Sequence, residues 1–193
     1  MQFKPGDNVV HIAHGVGHVV CLDEKRFSGQ EARQYYEVAT QKGTIWVPIE
    51  AQPSTRLRQL TPQADLGRYR SVLKSRPGSL DPDHRKRHLQ LAERLKDGSF
   101  KVLCEVVRDL SAHGWNRPLS EGDSARLRKV RQDLCDEWAV AAGVEPATAG
   151  QEIDELLAEA KLIGKGGPAR PNGPNGPTRA ASASLKQRKS PAT

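Results

Sequence analysis

Apolar residues along this chain follow two periods, and the period changes once. Up to about residue 60 they come in short runs rich in β-branched and aromatic residues: Asn8 to Ile12, Val16 to Leu22, Gln34 to Ala39 and Thr44 to Val47. Turns bearing Gly15, Gly29 and Gly43 separate the runs, and Pro48 ends the fourth. Such runs between glycine turns read as strands. Leu57 to Leu60 can supply a fifth. So few residues and so many tight turns predict a small curled sheet or SH3-like barrel over residues 1–60.

From Thr61-Pro62 the spacing becomes helical. A threonine cap followed by proline in the first turn predicts a helix reaching Lys74. Asp81-Pro82 repeats the signal for a second helix, ending near Asp97-Gly98. Ser99 opens a third, with Leu103, Val106, Val107 and Leu110 at i, i+3, i+4, i+7 spacing. Ser120 opens a fourth, with Leu127, Val130, Leu134 and Trp138 on one stripe and Gly143 at its end. Thr148-x-x-Gln151 resembles a capping box for a fifth, with Ile153, Leu156, Leu157 and Ala160 facing inward. The expected class is α+β in two domains: a β unit at 1–60 and an all-α unit at 61–163.

Residues 164–193 hold six basic residues, no acid, and the near-repeat Pro171-Asn172-Gly173-Pro174-Asn175-Gly176-Pro177. That composition cannot bury enough apolar surface to offset its ordering entropy, and a disordered basic tail is expected. The tail therefore accounts for most of the net charge of +7. It carries no arginine–glycine bracket of the AT-hook kind, only Ala169-Arg170-Pro171. No apolar run is long enough to span a bilayer and no apolar leader precedes the first turn, so a cytoplasmic protein is expected. Cys21, Cys104 and Cys135 are odd in number and match no metal spacing, which predicts free thiols.

Within the body, charge concentrates between Arg68 and Arg94, where eight basic residues meet three acids. Its densest part is His84-Arg85-Lys86-Arg87-His88. Such a cluster can hold phosphates through counterion release, or it can be an ordinary solvated helix start. Trp46 is a core residue of the small sheet, or it points outward if Val47 points inward. An outward tryptophan beside Lys25 suits a protein contact. Trp115 is expected to cover the helical core, and Trp138 to lie within it. His11, His14 and His18 sit on alternating strands around a glycine turn, are not expected to converge, and are not read as a metal site. No catalytic triad order, P-loop or G-x-S-x-G pattern occurs, so no enzyme and no cofactor are expected.

Taken in order, several pieces resemble one family. These are Phe3-x-Pro5-Gly6-Asp7, His14-Gly15-Val16-Gly17, Val47-Pro48, Glu105-Val106-Val107-Arg108-Asp109-Leu110, and Leu119-Ser120-x-Gly122-Asp123 followed by Leu127, Lys129, Arg131 and Gln132. Together, over about residues 2–163, they resemble the CarD/CdnL family of bacterial transcription regulators. The resemblance implies a Tudor-like domain docking on the RNA polymerase β subunit. It also implies a helical domain that contacts promoter DNA at the upstream edge of the bubble and stabilises the open complex without catalysis. The same N-terminal module resembles that of transcription-repair coupling factors, but no helicase motif follows it here.

Carried onto this chain, the resemblance assigns polymerase contact to Lys25, Arg26 and Trp46. It assigns DNA contact to His84, Arg85, Lys86, Arg87 and His88. His84 falls where the family usually has a wedging tryptophan, Trp46 where it has a basic residue, and Leu89 and Ser124 at positions usually basic. These departures mark a divergent member, expected to act as a monomer. Two rival readings remain at this point. One is a polymerase-docked protein with little DNA contact that competes with a relative. The other is a general nucleic-acid binder acting through its tail.

Overall fold

The computed structural model describes residues 2–26, 31–49, 57–115 and 117–166. Five strands come first: β1 Asn8–His11, β2 Gly15–Lys25, β3 Arg33–Thr40, β4 Gly43–Pro48 and β5 Leu57–Gln59. They form one antiparallel sheet of order β4-β3-β2-β1-β5. Four strands meander and the fifth returns to the first, as expected of a small SH3-like unit. The register of β2 on β3 shifts between Val19 and Cys21, leaving Val20 extra. A bulge of this kind bends a long strand. On the inner face Phe3, Val9, Val19, Tyr36, Val38 and Val47 form one apolar cluster.

Five helices follow: α1 Leu66–Lys74, α2 His84–Leu95, α3 Phe100–Gly114, α4 Glu121–Ala142 and α5 Pro146–Gly166. They enclose a second, separate cluster that includes Leu73, Leu91, Leu110, Leu134, Trp138 and Ile153. Fully burying an aliphatic side chain of this size contributes roughly 1.5–3 kcal/mol. The clusters are independent, so each half has its own apolar reason to fold.

Two helix starts agree with their expected caps. Ser99 and Ser120 each accept a hydrogen bond from a backbone N–H in the first turn, from Val102 and Asp123. Gly143 closes α4 at φ 69°, a left-handed position that glycine takes without steric cost. Three starts differ. Thr61 caps nothing, because its hydroxyl donates to the Glu137 carboxylate at 2.7 Å; a 3-10 turn at 63–65 leads into α1 instead. The cap of α2 is Asp83 rather than Asp81, since Asp83 accepts from the N–H groups of Arg85 and Lys86. α5 begins at Pro146, two residues before the expected capping box, with proline in its first position. It also runs beyond Ile163. The remaining part of the expected tail, 167–193, lies outside the described residues.

The sheet packs on the helices through β2 against α4 and through two specific contacts. Arg58 of β5 reaches Glu137 of α4, and its Nε donates to the Gly98 carbonyl at 2.7 Å. Gly98, at φ 62°, sits under Ile12 at the turn between β1 and β2; a Cβ there would lie 2.4 Å from an Ile12 carbon. Among the described residues no helix is long and apolar enough to cross a membrane.

Candidate functional site

Two exposed patches of different chemistry stand on the two halves. On the sheet, Cys21, Glu37 and Trp46 are cross-strand neighbours on the outer face. Val47 is buried inward, so strand alternation turns Trp46 outward, where it is half-buried. Lys25 extends over the indole with its Nζ 4.0 Å from the ring centroid. Such a cation–π contact contributes roughly 0.5–1 kcal/mol at an exposed site. Asp23 also holds that ammonium at 3.2 Å. Arg26 follows β2 directly and is exposed. The structure thus brings Lys25 and Trp46 into contact and leaves Arg26 beside them.

The second patch is the start of α2. Asp83 fixes its first turn, and the backbone N–H groups of Lys86 and Arg85 hold the Asp83 carboxyl below its ordinary pKa. His84, Arg85, Lys86 and His88 are exposed along this turn. Arg87 is not. Its side chain is turned inward at 4% exposure, and its Nε and Nη2 meet Asp123 Oδ2 at 3.1 and 2.7 Å. Its Nη1 donates to the carbonyls of Asp81 and Pro82. With four of its five N–H donors spent inside the fold and its side chain buried, Arg87 is not presented to a phosphate. The assignment of Arg87 to DNA contact is corrected on that ground: it braces α2 against α4.

The wider basic cluster is reduced in the same way. Arg70 pairs with Glu152, Lys74 with Glu159, and Arg94 with Glu105 and Asp109. Together with Arg87, half of the eight cations between Arg68 and Arg94 are neutralised by acids of α3, α4 and α5. Arg68, Arg76, Arg85 and Lys86 make no ion pair among the described residues and are exposed.

Other expectations resolve simply. Trp138 is wholly buried, and its Nε1 donates to Glu152 at 3.0 Å. Trp115 caps α3, half-buried, with Lys161 Nζ 5.9 Å from its ring. The His11 and His14 rings do converge, to 4.8 Å, because the turn between β1 and β2 folds one back towards the other. His18 lies apart, paired with Asn8. Among the described residues no group of three metal-ligating side chains forms. All three cysteines are free; Cys104 and Cys135 are buried, while Cys21 is only half-buried. Burial pushes both buried thiols up in pKa.

Two family models match the chain in sequence order. The CarD-like/TRCF RID domain covers residues 3–61, and the CarD C-terminal domain covers residues 69–154. The chain belongs to the CarD family. A relative from Bacillus subtilis (strain 168) named "Putative transcription factor YdeB" is 25% identical over 145 residues, 74% of this chain and 94% of the relative. CarD-family membership makes the protein a transcription regulator, and the matched families are of a transcription-factor rather than an enzymatic kind.

Two residues of this CarD-family chain escaped a linear reading. Glu137 is a carboxylate on the buried side of α4; a charge falling beside Leu134 and Trp138 on an apolar stripe is the signal that could have found it. Arg126 stands against His88 although 38 positions separate them, and nothing local to either residue announces that contact.

Proposed function

We propose that this regulator docks on the β subunit of RNA polymerase through Lys25, Arg26 and Trp46. At the same time it rests the first turn of α2 on promoter DNA at the upstream edge of the bubble. Family membership supports an interaction with RNA polymerase in general. The observation that carries the fuller reading is the pairing of two exposed patches on two separately cored halves. One is an indole under a lysine; the other is a cationic helix start with no acids of its own beyond the cap. A hydrogen-bonded bridge through Arg58, Glu137 and Gly98 joins them.

The mechanism is differential binding. A protein that holds polymerase and the melted junction at once stabilises the open state over the closed one by its extra contacts. Arg85 and Lys86 supply sequence-independent attraction to the backbone. His84 is placed to stack on an unpaired base, a contact worth roughly 1–3 kcal/mol for a good aromatic platform. Each 1.36 kcal/mol changes a rate about tenfold, so even part of that range alters open-complex lifetime measurably.

Withdrawal of Arg87 and the internal pairing of half the basic cluster favour a second reading, in which the protein docks on polymerase with little DNA contact and competes with a relative. One experiment separates them: capture of core polymerase by the full chain, with and without promoter DNA. Tighter capture in the presence of DNA supports the two-contact reading. Capture indifferent to DNA supports the competitor, and no capture at all removes both.

A further inference from the structure

Arg126 lies on α4, six residues beyond its cap Ser120, and faces α2. Its Nη1 donates to the His88 carbonyl at 3.2 Å and its Nη2 lies 3.2 Å from His88 Nε2. Among the described residues no carboxylate pairs with it. Its neighbours on the helix differ. Lys129 is held by Asp133 at 2.7 and 3.1 Å, and Arg131 by Asp154 at 2.7 Å. Arg128 is exposed and makes no ion pair, but two residues carry it about 200° round the helix, away from α2.

His88 borders two adjoining hollows. One, of about 540 Å³, lies between the first turns of α2 and α4 and is edged by His84, Arg85 and the exposed carboxylate of Glu121. The other, of about 520 Å³, opens between α4 and the turn of β1 and β2; Arg126 stands in its wall beside Val130 and Ile12. In that second hollow Lys129 is matched by Asp133 and Arg58 by Glu137, so Arg126 is its unmatched cation. A strand leaving Arg85 meets repulsion at Glu121 on one side of His88 and attraction at Arg126 on the other.

We infer that Arg126 is a phosphate anchor, and that nucleic acid held by Arg85 and Lys86 continues past His88 onto α4. The inference rests on the DNA-contacting reading above. A guanidinium oriented by a carbonyl and an imidazole keeps free N–H groups, loses little side-chain freedom on meeting a phosphate, and breaks no ion pair to do so. Lys129 would have to leave Asp133 first.

The test is fluorescence anisotropy of the full chain on a short labelled duplex of mixed sequence across a salt series, with circular dichroism to show that each variant is folded. Arg126→Ala should weaken binding to every sequence about equally and make the slope of log K against log salt shallower by about 0.9. Arg126→Lys should keep the slope. Arg128→Ala and Lys129→Ala should leave it unchanged. An unchanged slope for Arg126→Ala while Lys86→Ala flattens it overturns the anchor and leaves the α2 contact standing. Unchanged slopes for Arg126→Ala, Arg85→Ala and Lys86→Ala overturn the anchor together with the reading beneath it. Equal flattening by Lys129→Ala overturns the argument from ion pairing.

Discussion

Arg58 and Glu137, 79 residues apart in the chain, form a two-point ion pair, with Nη1–Oε1 and Nη2–Oε2 both at 2.6 Å. Glu137 is wholly buried, and the Thr61 hydroxyl and N–H both donate to its Oε1. One carboxylate therefore joins β5, the segment after it and α4.

Removing one partner of a buried pair typically costs about 3–5 kcal/mol, because the other is left uncompensated. Glu137→Ala should fall in that range in urea denaturation. It should also split unfolding into two transitions, one for each apolar cluster, where the native chain should show one. A single transition at unchanged midpoint would mean that the bridge couples nothing.

Arg87 and Asp123 give a pH dependence. Burial works to raise the Asp123 pKa, but hydrogen bonds from Arg87 and Ser120 and the Arg87 charge outweigh it and hold the carboxyl below its ordinary value. The folded state thus binds the proton less readily than the unfolded state, whose aspartate titrates near 3.9. The pair's contribution is complete above about pH 5 and is lost as pH falls through the lowered value. Asp123→Asn should be less stable at neutral pH and should show a flatter fall of stability below about pH 4 than the native chain. His113 adds an earlier component. Burial, then the charges of Arg117 and Arg87, depress its pKa, so its share is lost as pH falls below about 6.5.

Trp46→Ala should weaken binding to the polymerase β subunit by about 2 kcal/mol or more, as loss of an interface anchor does. Its melting temperature should change little, since the side chain sits outside the apolar cluster of the sheet. Isothermal titration against the β subunit and a thermal melt check the two halves of this statement. A collapsed melt would place Trp46 in the core.

His84→Trp enlarges the ring at the exposed first residue of α2. It should lengthen open-complex lifetime after a competitor challenge, by up to about tenfold if the larger ring recovers about 1.4 kcal/mol of stacking. An unchanged lifetime with polymerase binding intact would show that α2 does not meet the bubble edge.

Much of the fold was legible because local chemistry decides it. Gly15, Gly43 and Pro48 stand at strand ends as expected, while Gly29 lies outside the described residues and β2 runs on past Leu22 to Lys25; Ser99 and Ser120 cap the helices they precede. Two of the departures, at Thr61 and at Arg87, share one cause. Thr61 was available as a cap until Glu137, distant in sequence, took its hydroxyl. Arg87 read as one more cation in a run until Asp123, on another helix, drew it inside. Which charges remain for a partner is a tertiary property, and neither local propensity nor periodicity carries it. Trp46 was legible because its direction follows from strand alternation once Val47 faces inward.

Cys21 shares the outer face with Glu37 and Trp46, and its Sγ donates to Glu37 Oε2 at 3.3 Å. That hydrogen bond to the carboxylate, with burial and the negative charges nearby, keeps the thiol protonated beyond its usual range. Alkylating reagents consume thiolate, so this sulfur should react slowly at neutral pH and faster in mildly alkaline buffer. Cys104 and Cys135 are shielded within the helical core. A native chain treated with iodoacetamide would thus take its label first on the sheet face that carries the indole, with one strand between the two. The rate of that labelling is a built-in footprint of whatever covers the sheet.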